Sequence, residues 1–538
     1  MLVSQSPSYP RRWPKIRRVF FLSQLAFLNM LSTLSGRKTG LLLLLATAGS
    51  LGFRAPGAGA RLYVADYENV LGTSFEIKLD ATAAQPAAAE AAALREVDRL
   101  NKILSGYDAN SEFSRWLRAG PQPVAVSAEL YEVLSLFEQW RVKSDGALDA
   151  SAETVSQLWR AAAKQNRRPS AAEIAAAVVA VHQQHYVLNA QNRTAQRTSA
   201  APLVLNSFAK SYIMNKAAEV ALATPGVRGL VVNIGGDILV RGAHTEQIEV
   251  SNPKADAEND QPVAQLRVHD KTIATSGNYR RGELIDGRWY SHIVDPRTGQ
   301  PAREVISATV VADQATDAGA LATALNVLPP AEGQALVAAV PGAEYMLLTA
   351  AGQRLESPGW KKLELPAAPK APKTPPVLPP KARPWDPAYE VALTLELATQ
   401  EGARTHRPFV AVWVVDAKKK PVRQIALWYN KPKYLDDINF WYAAYYDQFA
   451  AGNHNVSSTT SATRSPGKYT LKWDGKDDQG NPVAQGSYTL FIEVAREHGT
   501  HQLMKQALDG KKPQHFDLPA NAEVASAAID YRKKTDDK

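Results

Sequence analysis

The sequence predicts a mixed α/β (α+β) domain followed by an all-β sandwich domain. Strand-like alternation and helix-like spacing succeed one another from about residue 75 to residue 365. A run holding Pro366, Pro369, Pro372, Pro375, Pro376, Pro379, Pro380 and Pro384 then breaks the pattern, because it cannot form a core and favours an extended spacer. Beyond it, short apolar runs are separated by Gly, Pro, Asn and Asp, the pattern of antiparallel strands. With 538 residues, 45% apolar and 21% charged, the chain has material for more than one packed core.

Taken from the N-terminus, residues 1–60 read as a leader. Eight Lys or Arg and no acid precede or flank the apolar run Gly40 to Ala46, and Gly57-Ala58-Gly59-Ala60 supplies a small-residue cleavage site. An uncleaved membrane anchor is the alternative, although neither apolar run reaches a bilayer span. Export to the periplasm is the expectation. The net charge of +9 falls to +1 once this stretch is set aside, so a nucleic-acid partner loses its support. Zero cysteines exclude disulfides, thiolate metal sites and Cys nucleophiles.

Phe75, Ile77 and Leu79 alternate as a strand, and Leu94, Val97, Leu100, Ile103 and Leu104 recur at helical spacing. Further helices carry Leu130 to Trp140, Ile174 to Val181 and Phe208 to Leu222. Leu230 to Ile234 is a buried-type strand that turns through Gly235-Gly236-Asp237 into Ile238-Leu239-Val240. Strands over 246–251, 263–268 and 305–311 and a helix over about 314–327 complete this domain, placed at 61–365. The spacer is placed at 366–386, the sandwich at 387–510 and a polar tail at 511–538.

Chemistry concentrates in Ser276-Gly277-Asn278-Tyr279 and in Tyr290 to Gly299. His292 stands three residues before Asp295 in a segment closed by Pro296 and Gly299, so an imidazole and a carboxylate could share one loop. The alternative is a histidine that caps a strand ahead of an Asp-Pro turn. Gly235 and Gly236 offer backbone N–H groups for a phosphate and Asp237 an acid, or else they form a plain hairpin turn. Asp145-Gly146-Ala147-Leu148-Asp149 and Ala209-Lys210-Ser211-Tyr212 add acids and a lysine near helix starts. The pairs His182/His185 and His498/His501 lack an evident third ligand, so no zinc is expected.

These segments, with Leu71-Gly72-Thr73, Ser105-Gly106-Tyr107-Asp108, Ser111-Glu112 and Ala322-Thr323-Ala324-Leu325, occur in the order seen in the FAD:protein FMN transferase (ApbE) family, which residues 71 to about 360 resemble. The resemblance implies a magnesium-assisted enzyme that splits FAD at its pyrophosphate and joins FMN to a Thr or Ser hydroxyl of a target protein, with AMP leaving. It implies His292 as the acid-base group, Asp295 as the residue that orients it or its loop, and Thr323 at the magnesium. Asn233, Gly235, Gly236, Asp237 and Ser276 would line the dinucleotide pocket with Lys210, and Tyr107 would pack on the flavin. The implied partner is an exported or membrane-associated flavin-accepting protein. Gly319 stands where the family has a metal-ligating Asp, Ser211 where it favours Gly, Asn215 where it favours Asp and Leu148 where it favours Phe. Asp317 can replace the missing acid only if the helix begins after it. A flavin-binding module without catalysis, or a pyrophosphatase releasing FMN and AMP, are the alternatives.

The C-terminal domain resembles an uncharacterised domain joined to such transferases, with an Ig-like hairpin at Gly467 to Gly480 whose Asp477 and Asp478 suit a turn or a calcium loop. Thr460-Ser461-Ala462-Thr463 is similar to the Ser-Gly-Ala-Thr motif in which these enzymes flavinylate the last threonine. It reads either as a polar loop or as a self-acceptor at Thr463.

Overall fold

The side chains of Val227–Ile234 divide between two cores: Leu230, Val232 and Ile234 face one, and Val231 faces the other. That division places the strand in the middle of three layers. The computed structural model describes residues 61–82, 85–255, 257–279, 281–366, 383–398, 408–428, 438–450, 458–460, 468–496 and 500–534. The leader, most of the Pro-rich spacer, His498 and Thr463 lie outside the described residues.

An eight-stranded antiparallel sheet is ordered Arg61–Val70, Thr73–Ala81, Val227–Ile234, Asp237–Gly242, Thr272–Gly277, Val305–Ala312, Glu344–Thr349, Arg354–Glu356. Helices Pro86–Leu104, Ala209–Leu222 and Ala315–Val327 bury Val97, Leu100, Met214, Ala217, Leu321 and Leu325 against one face. On the other face the hairpin Thr245–Val250/Ala264–His269 and Trp360 enclose Ile238, Val240, Ile273 and Val311. Covered on both faces, the central strands read as nearly continuous apolar runs. The loops between these layers carry the candidate site.

The C-terminal region is a sandwich of two four-stranded sheets. One is ordered Lys468–Trp473, Tyr389–Leu397, Val524–Lys533, Gln514–Leu518, and the other Pro421–Trp428, Phe409–Asp416, Ser487–Ala495, His501–Asp509. Alternate residues Val391, Leu393, Leu395, Val410, Val412 and Val414 meet between them. One expectation needs correction. The polar tail at 511–538 contains two strands, and Val524–Lys533 lies inside its sheet with Val524, Ala527, Ile529 and Tyr531 buried. Its apolar residues are spaced for one buried face, so mean polarity conceals a half-buried strand. A helix, Asn439–Ala450, also covers the outer face of the second sheet, where Trp441 and Tyr445 pack on Phe409 and Trp413.

The two regions touch. Ser458–Thr460 adds in parallel to the edge strand Thr245–Val250, with Thr459 opposite Glu249. Asn259 caps the edge strand Lys468–Trp473: its Nδ2 donates to the Lys472 carbonyl at 2.6 Å and its Oδ1 accepts from the Lys472 N–H at 2.9 Å. The Glu258 N–H donates to the Thr470 carbonyl at 2.7 Å.

Candidate functional site

Two glycine turns meet at one end of the large sheet. Leu71-Gly72 and Gly235-Gly236 both have positive φ at both positions, the two-residue hairpin form. A Cβ on Gly235 would stand 2.6 Å from Thr73 Oγ1, so Gly235 lets the first turn pack on the second. The amides expected to approach a phosphate are already committed. Gly235 N–H donates to the Ser74 carbonyl at 2.9 Å and Gly236 N–H to Asn233 Oδ1 at 3.0 Å. Asn233 therefore builds the turn. The next residue, Asp237, is buried and pairs with Lys210 at 2.8 Å, which joins the start of the Ala209–Leu222 helix to the turn. Ser276, at the end of the neighbouring strand, gives its carbonyl to Asn326 Nδ2 at 2.9 Å, tying that strand to the Ala315–Val327 helix.

His292 follows the hairpin Gly282–Ile285/Arg288–Ser291, whose Tyr290 stacks on Trp159 with ring centres 5.0 Å apart. Its Nδ1 lies 3.0 Å from the Arg281 carbonyl. A carbonyl only accepts, so Nδ1 carries the proton and Nε2 is left as the basic nitrogen. Desolvation holds the imidazole pKa below the usual 6.5, the bond to the Arg281 carbonyl opposes this, and the Arg281 charge adds to the lowering. The residue as a whole still presents surface to solvent. Asp295 does not bond to His292 among the described residues. Its Oδ1 accepts from the Arg297 N–H at 2.9 Å and Nε at 3.0 Å, and its Oδ2 from the guanidinium at 3.1 Å. The Asp295 carbonyl accepts from Gly299 at 2.8 Å. Of the two expected roles, the geometry gives Asp295 the loop and leaves the orientation of the ring to the Arg281 carbonyl. Arg281 and Arg297 were not singled out in the sequence. The run Asp295-Pro296-Arg297 carries a local signal for the second, whereas a backbone partner such as Arg281 leaves none.

The helix side of the site is more altered. Thr323 Oγ1 donates to the Gly319 carbonyl at 3.2 Å. The helix begins at Ala315, so Asp317 sits in its first turn and does not share the face of Gly319 and Thr323. Burial raises the Asp317 carboxyl above the ordinary range, with Lys143 opposing. A Cβ on Gly319 would meet Ser211 Oγ at 2.5 Å and Phe208 Cβ at 3.2 Å. Ser211 is fully buried and its hydroxyl has no hydrogen-bond partner. The two departures noted in the sequence, Ser211 and Gly319, thus face each other. Among the described residues no group of three His, Asp or Glu is placed to hold a metal. A magnesium ion asks for one or two carboxylates besides substrate phosphates, and this helix face offers neutral hydroxyl and carbonyl oxygens only.

The remaining motif residues shape loops. Ser105 Oγ accepts from the Tyr107 and Asp108 N–H groups, and Ser111 caps the Glu112–Arg118 helix. Tyr107 itself is 87% exposed, held by Asn206 Nδ2 donating to its hydroxyl at 3.0 Å. That leaves a ring face open for stacking. Gly146, at positive φ just after the Ala128–Lys143 helix, donates its N–H to the Arg141 carbonyl at 2.8 Å, a Cβ there would stand 3.5 Å from Arg297 Cγ, and Asp149 accepts from Ser151. His185 uses both ring nitrogens, toward the Val181 carbonyl and Ser199 Oγ. Asp477 accepts from the Gln479 and Asn481 N–H groups, as a turn residue does.

The eight-stranded sheet, its helix layer and the glycine turns at its end have the architecture of an α/β enzyme. The model of the ApbE family matches residues 71–347, just over half the chain, and the chain belongs to that family. Residues 390–526 match a family described as "Predicted periplasmic protein (DUF2271)". An FAD:protein FMN transferase of Vibrio cholerae is 30% identical over 282 residues, covering 50% of this chain and 82% of the relative. One from Treponema pallidum is 29% identical over 317 residues, covering 54% and 86%. The crystal structure of the ApbE protein from Thermotoga maritima, 27% identical, superposes with a TM-score of 0.51 over 57% of this chain and all of that one.

Proposed function

We propose that the chain moves FMN from FAD to a Thr or Ser hydroxyl of an acceptor protein and releases AMP. The observation that carries this reading is His292, held with Nδ1–H on the Arg281 carbonyl so that a neutral Nε2 is available as a base. In the step, the acceptor oxygen bonds to the flavin-side phosphorus and the bond from that phosphorus to the bridging oxygen breaks. His292 takes the hydroxyl proton and AMP leaves with the bridging oxygen. Asn233, Gly235, Gly236, Asp237, Lys210 and Ser276 line the dinucleotide pocket, and Tyr107 offers its exposed ring to the flavin. Asp295 holds the loop through Arg297.

Magnesium would supply charge neutralisation at the diphosphate, with Thr323 the residue on this face to approach it. Asp317 lies off that face and does not share it with Thr323. The oxygens present do not form a metal site by themselves. This helix face is the observation that favours the second reading, a flavin-binding module without turnover.

The match to a family described as periplasmic and the basic, apolar leader support export, with residues 61–365 acting as the transferase and the sandwich following a spacer at 366–386. Among the described residues no helix is long and apolar enough to cross a membrane. The test is incubation of the protein with FAD, with and without magnesium, and with a flavin-accepting protein domain. Covalent flavin fluorescence on a denaturing gel together with equimolar AMP is expected. Free FMN with AMP would mean a pyrophosphatase, and bound FAD without AMP a binding module.

A further inference from the structure

The strand Thr245–Val250 pairs with Ala264–His269 on one side and on the other receives Ser458–Thr460, the only parallel pairing among the described strands. The incoming segment reaches this edge from the other domain. It is also the segment richest in hydroxyls, with Ser457, Ser458, Thr459, Thr460 and Ser461 consecutive in the sequence. It lies against Asp237–Gly242 and Thr272–Gly277 as well. Those are the strands that carry Asp237 and Ser276 of the candidate site. Parallel register fixes its direction: Ser458 stands opposite Ile248 and Thr460 opposite Val250. The Asn259 and Glu258 contacts to Lys472 and Thr470 hold the sandwich beside this edge, since both come from the segment that follows Thr245–Val250.

We propose that the outer edge of Thr245–Val250 is the dock for an extended, hydroxyl-bearing segment of the acceptor protein, and that Ser458–Thr460 occupies it in this chain as a built-in competitor. The inference rests on the FMN-transfer reading and names the surface through which that reaction meets its acceptor. A sheet edge suits such a partner, because backbone hydrogen bonds supply affinity for any extended chain while flanking contacts choose among them. An edge strand left open is also an aggregation hazard, which the domain's own strand removes until an acceptor displaces it. Occupation in cis benefits from a high effective concentration, so an acceptor must compete against a tethered strand.

The absence of cysteine from the sequence makes a reversible test direct. Adjacent strands lie about 4.8 Å apart, inside the range that a disulfide spans. The double substitution Glu249→Cys/Thr459→Cys places a cysteine on each side of one opposed pair. The probe is a synthetic peptide centred on Ser-Gly-Ala-Thr, with peptide flavinylation read by mass and FAD binding by flavin fluorescence. Oxidation is expected to lower peptide flavinylation at least about tenfold, with FAD affinity unchanged within about twofold, and reduction to restore it. Equal flavinylation of the peptide by the oxidised and reduced forms overturns the proposal. A parallel loss of FAD affinity overturns it too, because the edge would then belong to the dinucleotide pocket.

The full chain with Thr459→Pro/Thr460→Pro serves as a second variant that needs no disulfide. Proline removes the N–H groups a strand must donate, so release of the competitor should lower the KM for the peptide at least about threefold. An unchanged or raised KM counts against the dock. If the unsubstituted protein flavinylates neither the peptide nor any acceptor domain, the FMN-transfer reading fails instead. One FMN added to the chain itself on intact mass would make the docked segment a substrate that uses the same edge.

Discussion

On the loop side of the site, the groups that position His292 are paired. Nδ1 rests on the Arg281 carbonyl, Asp295 is clamped by Arg297, and Trp159 Nε1 donates to the Gly299 carbonyl at 2.9 Å. On the helix side, the Ser211 hydroxyl is buried with no partner against a glycine, and Asp317 faces away. One half fixes a histidine ring through a backbone carbonyl. The other leaves no room for an unshifted side chain at Gly319, where a charged ligand could have stood. Chemistry that needs only a base and a held dinucleotide is therefore better supported than chemistry that needs a protein-held cation, and the two halves should respond differently to substitution.

The largest effect is expected at His292. Removing a positioned base costs about 10²–10⁴-fold in rate, so His292→Ala should lower FMN transfer by that factor while FAD affinity changes less than about threefold. Single-turnover transfer and equilibrium FAD binding check this, and equal loss of both would make His292 a binding residue. The pH dependence sharpens the same point. Burial lowers the imidazole pKa, so the neutral, basic form persists below the usual 6.5. Activity should fall only as pH drops through that lowered pKa, and an acid limb in kcat/KM centred above 6.5 would contradict it.

The helix side predicts a coupled pair. Gly319→Asp alone forces a Cβ to 2.5 Å from Ser211 Oγ and buries a carboxylate, so overpacking should cost about 1–3 kcal/mol in denaturant titration. Adding Ser211→Gly removes both the clash and the unpartnered hydroxyl, and should recover most of that loss. Only the double variant should gain a magnesium response in FAD binding. Additive effects of the two substitutions would show that the residues do not share one space.

Much of the fold could be read from residue patterns. The period of Leu230 to Ile234, the spacing of Leu94 to Leu104 and the Gly-Gly turn follow from local sterics and side-chain direction. The histidine and its loop stand out because their types and order are unusual. What the sequence concealed depends on contacts between distant segments. The Arg281 carbonyl is a backbone group, which carries no side-chain signature. The Ser211/Gly319 exchange looks like two unrelated departures until the helices are packed. Val524–Lys533 hides in a polar stretch because a strand with one buried face needs only alternate apolar residues.

The smallest effect concerns the seam between the regions. Asn259 imitates a backbone pair by giving and receiving a hydrogen bond at Lys472, so it protects the open edge of Lys468–Trp473. Asn259→Ala removes both bonds and leaves a part-buried N–H and carbonyl to find water, at a cost of about 1–2 kcal/mol. Hydrogen exchange at the Lys472 amide should accelerate about five- to thirtyfold, the same free energy expressed as an opening equilibrium. FAD binding should not move, because the candidate pocket lies on other strands. If the substitution instead lowers FAD affinity, the sandwich reaches into the dinucleotide pocket, and the contrast between a complete loop side and a closed helix side would have to include a third wall.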